Sequence, residues 1–305
     1  MNSAPAILAG RNRPPADGLP LHRALGAYLG LAVGDALGAT VEFMSGPEIV
    51  ARYGLHNQLL GGGWLHLKPG QVTDDTEMAL ALGDALVASG GWDLRAIANA
   101  FVAWMRRDPV DIGNTCRRGI VHYLSTGELS VPPSRGDGGN GAAMRHLPVV
   151  LATWHDEAAL GRRCLQQAHL THHHPKSDAA TIVLARLTRQ LLLFGAEAAC
   201  DAIAAELIGQ HPDFQFRPWP GRNSGYVVDT VQTVFDAFFN TDNFEDCVVR
   251  AVNRGGDADT AGALAGQLAG ALYGAEGIPN RWLRRLDPSV VAAISGQTPA
   301  LLALT

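Results

Sequence analysis

Leu21, Leu25 and Leu29 recur at every fourth position, and Leu80 with Asp84 and Leu82 with Leu86 form two neighbouring rows. That spacing belongs to the faces of helices. Ala-, Leu- and Arg-rich runs over residues 93–106, 158–169, 178–194 and 197–209 continue the pattern, and residues 226–240 and 259–273 read as helical too. Alternating strand patterns bounded by hairpin turns are scarce. Loops rich in Gly, Pro and Ser, such as STGELSVPPSRGDGGNG and QHPDFQFRPWPGRNSG, separate the helical runs. No linker divides two compositionally different halves. The pattern predicts an all-α protein with one compact domain over residues 21–305, preceded by a flexible arm over residues 1–20.

Glycine adds a packing expectation. Gly26, Gly30, Gly34 and Gly38 stand four residues apart, and so do Gly262, Gly266, Gly270 and Gly274. Each set lines one side of a helix and lets another backbone come close. A helix-interior glycine costs roughly 1 kcal/mol relative to alanine, so close packing must offset it. Asp35, Glu42 and the short length of the segment exclude the membrane version of this motif. Two core helices near the centre of the molecule are expected.

Composition narrows the function classes. The chain has 305 residues, 47% hydrophobic and 17% charged, enough to bury a large core. A formal net charge of −5 offers no global basic field for nucleic acid. The four cysteines lie far apart without a C-x-x-C pair, which argues against a zinc knuckle and fits a reducing cytosol. No apolar stretch is long enough to span a bilayer, so a cytoplasmic protein is expected.

Two polar knots carry the candidate chemistry. QVTDDTEMALALGDAL sets Thr73, Asp74 and Asp75 at the head of a helical run, and RGGDADTAGALAGQLAG repeats the arrangement with Asp257, Asp259 and Thr260. Helix capping accounts for one carboxylate per helix. It does not account for Asp74 beside Asp75, or for Asp257 with Asp259 behind two glycines. A shared hard cation removes the repulsion, because carboxylate and hydroxyl oxygens suit Mg²⁺ or Mn²⁺. Four carboxylates and two hydroxyls exceed what one Mg²⁺ takes from protein, whereas two octahedral ions together offer about a dozen positions. GDGGNGAAMR is a glycine-rich loop running into a helix, and its backbone N–H groups can cradle a pyrophosphate that an acidic protein cannot hold with a basic patch. Tyr226 can stack on an adenine or ribose, although an aromatic at a helix start is more often core. The run THHHPKS suggests zinc only weakly, because adjacent histidines point apart and no further ligands are evident.

In GLAVGDALGATVEF, TDDT, DIGNTCRRG, GGNGAAMR, GYVVDT and NRGGDADTAGALAG, in this order, the chain resembles the ADP-ribosylglycohydrolase family from about residue 21 to 287. The wording of RDPVDIGNTCRRG is most similar to the branch that reactivates dinitrogenase reductase. The resemblance implies a compact all-helical fold with a dinuclear Mg²⁺ or Mn²⁺ site. Its metal ligands fall on Thr73, Asp74, Asp75, Asp257, Asp259 and Thr260. It places an active-site glutamate at Glu42, otherwise a solvated surface acid, and sets Asp111, otherwise a turn residue, beside the scissile bond. Asn114 would help shape that pocket, Gly138, Gly139, Asn140 and Gly141 would bind the pyrophosphate, and His172 would contact phosphate or ribose.

The implied reaction is hydrolysis of the N-glycosidic bond between ADP-ribose and an arginine side chain, with dinitrogenase reductase as the modified protein. Asp111 would act as acid/base or electrostatic partner, and Glu42 would support it. The same branch implies a PII-type regulatory protein and reversible sequestration at the membrane through it. Two rivals stand beside this reading. One is another dinuclear-metal hydrolase acting on a phosphate ester or pyrophosphate, and the other is a non-catalytic ADP-ribose-binding member of the fold.

Overall fold

Glycine faces glycine along the axis of the molecule. In the computed structural model, which describes residues 19–195 and 197–304, the two glycine-striped helices run antiparallel and in contact. A Cβ built on Gly30 would meet the Gly266 carbonyl oxygen at 2.2 Å, and one on Gly34 would meet that of Gly262 at 1.9 Å. Gly26 pairs with Gly270 in the same way, and Gly38 closes the seam against the Ala258 carbonyl at 2.1 Å. Gly274 lies just beyond its helix as the C-cap, so the last member of that stripe ends the element.

Fourteen α-helices are formed by the described residues, with no extended strand among them. The first seven are α1 (Leu21–Gly38), α2 (Gly46–Tyr53), α3 (Asp74–Ser89), α4 (Leu94–Met105), α5 (Asn114–Thr126), α6 (Leu147–Thr153) and α7 (Glu157–His169). Then follow α8 (Pro175–Phe194), α9 (Ala198–Gln210), α10 (Val227–Phe238), α11 (Phe244–Val252), α12 (Ala258–Tyr273), α13 (Asn280–Leu283) and α14 (Pro288–Leu302). The expected all-α class holds, and the six helical runs read from the sequence match α4, α7, α8, α9, α10 and α12 to within a few residues. The arm expected over residues 1–20 lies outside the described residues except for Leu19 and Pro20.

Helices α1 and α12 are buried along nearly their whole length, and α3, α8, α10, α11 and α14 pack around them. The Leu21–Leu25–Leu29 row does not lead α1 into this core. Leu21 is exposed and only Leu29 is buried, while the glycine row faces inward. Three isolated bridges tie loops together, and two of them, Ser45 with Gly255 and Gly139 with Tyr226, hold loops next to the acidic knots.

Candidate functional site

The first turns of α3 and α12 meet at one end of the seam. Asp35, in the last turn of α1, is fully buried and organises the first knot. Its carboxylate accepts from the Thr73 N–H at 3.0 Å and hydroxyl at 2.9 Å, and from the Thr76 N–H at 3.2 Å and hydroxyl at 2.5 Å. The second knot reaches the first directly, because the Thr260 hydroxyl donates to Asp75 Oδ2 at 3.3 Å. Asn140 Nδ2 donates to Thr230 Oγ1 at 2.9 Å and to Asp257 Oδ2 at 2.5 Å, so the glycine-rich loop fixes Asp257. The loop after α4 closes on the same place, with the Gly113 N–H donating to Asp74 Oδ2 at 3.1 Å.

Together these elements wall a cavity of about 480 Å³. Glu42, Asp74, Asp75, Asp111, Asn114, Gly139, Asn140, Gly141, His172, Asp257, Asp259 and Thr260 all line it, which unites most of the expected site. Thr73 stands behind Asp75, fully buried and off the cavity lining, with its hydroxyl engaged by Asp35. Gly138 and Tyr226 also lie outside the lining. The Tyr226 ring covers Gly138, where a Cβ would meet it at 3.0 Å, and the residue is 42% exposed, so it belongs to the rim and not to the core. The Asn140 N–H is committed to the Gly225 carbonyl at 3.1 Å, which removes it from any anion cradle. His173 and His174 serve the loop, one ring bonded to the Val131 carbonyl and the other capping α8.

Burial and mutual repulsion dominate the electrostatics. Burial, opposed by the Trp64 hydrogen bond and assisted by Asp257, Asp111 and Asp74, pushes Glu42 up to about 8. Asp74 is likewise pushed up to about 8 by burial and by Asp111. Burial raises Asp75 and Asp259 well above the ordinary carboxylate range, and Asp257 and Asp111 also rise. His172 moves the other way: burial and then Arg145 keep its imidazole neutral at physiological pH.

The donor set fits a divalent cation. One oxygen from each of Glu42, Asp257 and Asp259 lies within 4.8 Å of the other two. Asp75 Oδ1 is buried and accepts no hydrogen bond, an orphan that an oxygen-seeking cation would satisfy. This geometry adds Glu42 to the candidate ligands, a role the sequence did not suggest. Arg145 was also missed. Its fully buried guanidinium bonds to Gln167, Thr171 and Cys116 and stacks over Phe101 at 4.5 Å, and burial lowers its pKa against the opposing pull of Cys116 and Asp74. The last residue of GGNGAAMR was its only signal.

Known proteins resemble this chain over most of its length. The ADP-ribosylglycohydrolase family profile matches residues 17–304. The ADP-ribosyl-dinitrogen reductase glycohydrolase of Rhodospirillum rubrum is 55% identical over 282 residues, covering 92% of this chain and 96% of that protein. ADP-ribosylarginine hydrolase Tri1 of Pseudomonas putida is 35% identical, covering 87% of this chain and 74% of that protein. A solved structure of an ADP-ribosylglycohydrolase-related protein complex superposes with a TM-score of 0.83 at 36% identity, covering 93% of this chain and 98% of that one. The convergence of both acidic knots, Glu42 and Asp111 on one cavity thus occurs in a chain that belongs to the ADP-ribosylglycohydrolase family.

Proposed function

We propose that the protein hydrolyses the N-glycosidic bond joining ADP-ribose to an arginine side chain of a modified protein, with dinitrogenase reductase as a target. The observation that carries this reading is the single cavity shared by Asp111, Glu42 and the carboxylates of both knots, in a chain 55% identical to a glycohydrolase named for that substrate.

The site's own groups divide the work. Asp74, Asp75, Glu42, Asp257, Asp259 and Thr260 would hold two Mn²⁺ or Mg²⁺ ions, with Thr73 as support. When bound, such ions polarise ribose oxygens and lower the pKa of a coordinated water. The first turn of α5, with Asn114 and Thr115 on the cavity, offers a helix N-terminus to the pyrophosphate, while Gly139 and Gly141 line the same cavity from a turn that ends before α6 begins at Leu147. Gly138 and Tyr226 extend this surface at the rim, where the tyrosine ring takes the adenine or ribose. Neutral His172 presents a hydrogen-bonding imidazole without adding charge. Asp111 accepts the Ile112 N–H at 2.7 Å and is raised by burial, so it can carry a proton to the departing guanidine nitrogen. The ring of carboxylates attracts the guanidinium itself.

Incubation with arginine-ADP-ribosylated dinitrogenase reductase and Mn²⁺ should release free ADP-ribose, detected by mass spectrometry, and restore reductase activity. Release of AMP or phosphate instead would assign the site to phosphoester or pyrophosphate hydrolysis. Faster turnover of a serine-linked peptide would remove the arginine assignment. A PII-type partner that holds the enzyme at the membrane is supported by the branch likeness alone, and co-sedimentation with membranes only in that partner's presence would test it. Among the described residues no helix is long and apolar enough to cross a membrane.

A further inference from the structure

Three consecutive glycines, Gly61, Gly62 and Gly63, adopt φ values of 69°, 82° and 67° and curl the chain before α3 into a tight loop. Gly62 and Leu67 exchange backbone hydrogen bonds at 2.7 and 2.9 Å. Gly63 sits on the end of α1, where a Cβ would strike the Ala39 carbonyl at 2.5 Å. The loop is therefore seated on the core, and it presents Trp64 at its tip.

Trp64 is 50% exposed, yet its indole N–H donates to Glu42 Oε2 at 2.6 Å. The residue after Glu42 is equally unusual. Phe43 has φ 64°, a left-handed conformation costly for a bulky side chain, and it is 67% exposed. Its N–H is fixed to the Gly256 carbonyl at 2.7 Å, and its ring lies 5.3 Å from that of Trp64. Both rings line the acidic cavity alongside Glu42 and Asp111. Neither residue serves the core, so strain and exposed aromatic surface are concentrated where the cavity opens.

We propose that Trp64 is a positioning residue. Its indole N–H fixes the Glu42 carboxylate against Asp257 and Asp259, and its ring, paired with Phe43, forms the wall along which the leaving arginine side chain lies. A hydrogen bond to a carboxylate in a partly dry site is worth more than a neutral one, and it selects one Glu42 rotamer among several. The paired rings suit the planar cationic head and apolar stem of arginine. The second half rests on the arginine reading above, whereas the first stands on geometry alone.

The experiment measures hydrolysis of ADP-ribosylarginine by the Mn²⁺-loaded protein and by Trp64→Phe, Trp64→Ala and Phe43→Ala, with a crystal structure of Trp64→Phe. Trp64→Phe keeps a ring but loses the donor, so kcat should fall about tenfold or more with KM within about twofold. Its Glu42 carboxylate should leave the position beside Asp257 and Asp259. Trp64→Ala and Phe43→Ala should additionally raise KM about two- to fivefold. Wild-type-like kcat in Trp64→Phe, or a Glu42 that stays in place in its crystal structure, would overturn the positioning role. Unchanged KM in both alanine variants would overturn the wall. A wild-type protein inactive on ADP-ribosylarginine would count against the arginine reading, and the Trp64→Phe structure would still decide the Glu42 role. Trp64→Leu, which has no donor to offer Glu42, takes its place if the phenylalanine variant does not fold.

Discussion

The α1–α12 seam and the acidic cavity at its end share residues within one helical turn, yet they obey opposite rules. Along the seam nothing but backbone and hydrogen fills the space between Gly26 and Gly270, Gly30 and Gly266, and Gly34 and Gly262. One turn beyond, Asp35, Asp74, Asp75, Asp257 and Asp259 are all buried close to like charges. The seam has no side chain that can rotate away, so it cannot relax to spread the carboxylates. Repulsion in the cavity is contained by a framework with no slack, and that containment keeps the oxygens converged.

The most damaging change should be Gly34→Val. Its Cβ would lie 1.9 Å from the Gly262 carbonyl oxygen, and backbone cannot move aside as a side chain end would. Overpacking usually costs about 1–3 kcal/mol, and a clash between two helix backbones belongs at or above the upper end. Thermal unfolding should show a collapsed transition or insoluble protein, and a melting temperature within a few degrees of wild type would mean the seam is soft.

Asp257→Asn attacks the other region and should spare the framework. The expected result is normal circular dichroism, lost Mn²⁺ in elemental analysis and lost activity, partly recovered at high Mn²⁺. Unfolding of this variant would show that the cavity also supports the seam. Asp111→Asn should be narrower still. General acid–base groups contribute typically about 10²–10⁴-fold, so kcat should fall by that factor while metal content and ADP-ribose affinity hold. If the metals leave with the charge, Asp111 is a ligand-shell residue instead.

A further expectation concerns pH. In metal-free protein the folded state keeps protons on Glu42 and Asp74 up to about 8, and on Asp35 up to about 6, that an unfolded chain releases near 4. The folded state thus binds more protons than the unfolded one between pH 4 and 8, and stability must fall as pH rises through that window. Each such group contributes about 1.4 kcal/mol per pH unit at most. Melting temperatures of chelator-treated protein should decline from pH 5 to 8, and added Mn²⁺ should flatten the curve. A metal-free melting temperature that rises with pH would contradict the burial of these carboxylates.

Much of the framework was legible because periodicity is a local property. The glycine stripes announced the seam, and the long runs that became α8, α10 and α12 kept their apolar faces in register. Short elements did not announce themselves. Helix α6 is the run LPVVLAT, whose β-branched residues read as well for a strand, and α14 carries Gly296 and Pro299. In the site, adjacent carboxylates were conspicuous because their repulsion demands an explanation. Asp35 was visible only as a charge that ruled out a membrane span, since its four donors come from residues 38 and 41 positions away. Trp64 was missed for the same reason, its bond to Glu42 spanning 22 positions. Partnerships made by tertiary folding leave no spacing to read.

The antiparallel seam also sets a schedule for the growing chain. Helix α1 leaves the ribosome long before its partner, with a bare glycine face that α12 must later cover. Its partner α12 emerges only after most of the chain, and the Asp75–Thr260 contact joins positions 185 residues apart. Closing so long a loop is slow, and a collapsed chain lacking its central pair offers exposed apolar surface to neighbours. The N-terminal two thirds, stalled or truncated, would possess the first knot, Glu42 and Asp111 but no opposing knot and no seam. The cavity is therefore completed only once α12 has been made, and until then the first knot lacks its opposing oxygens.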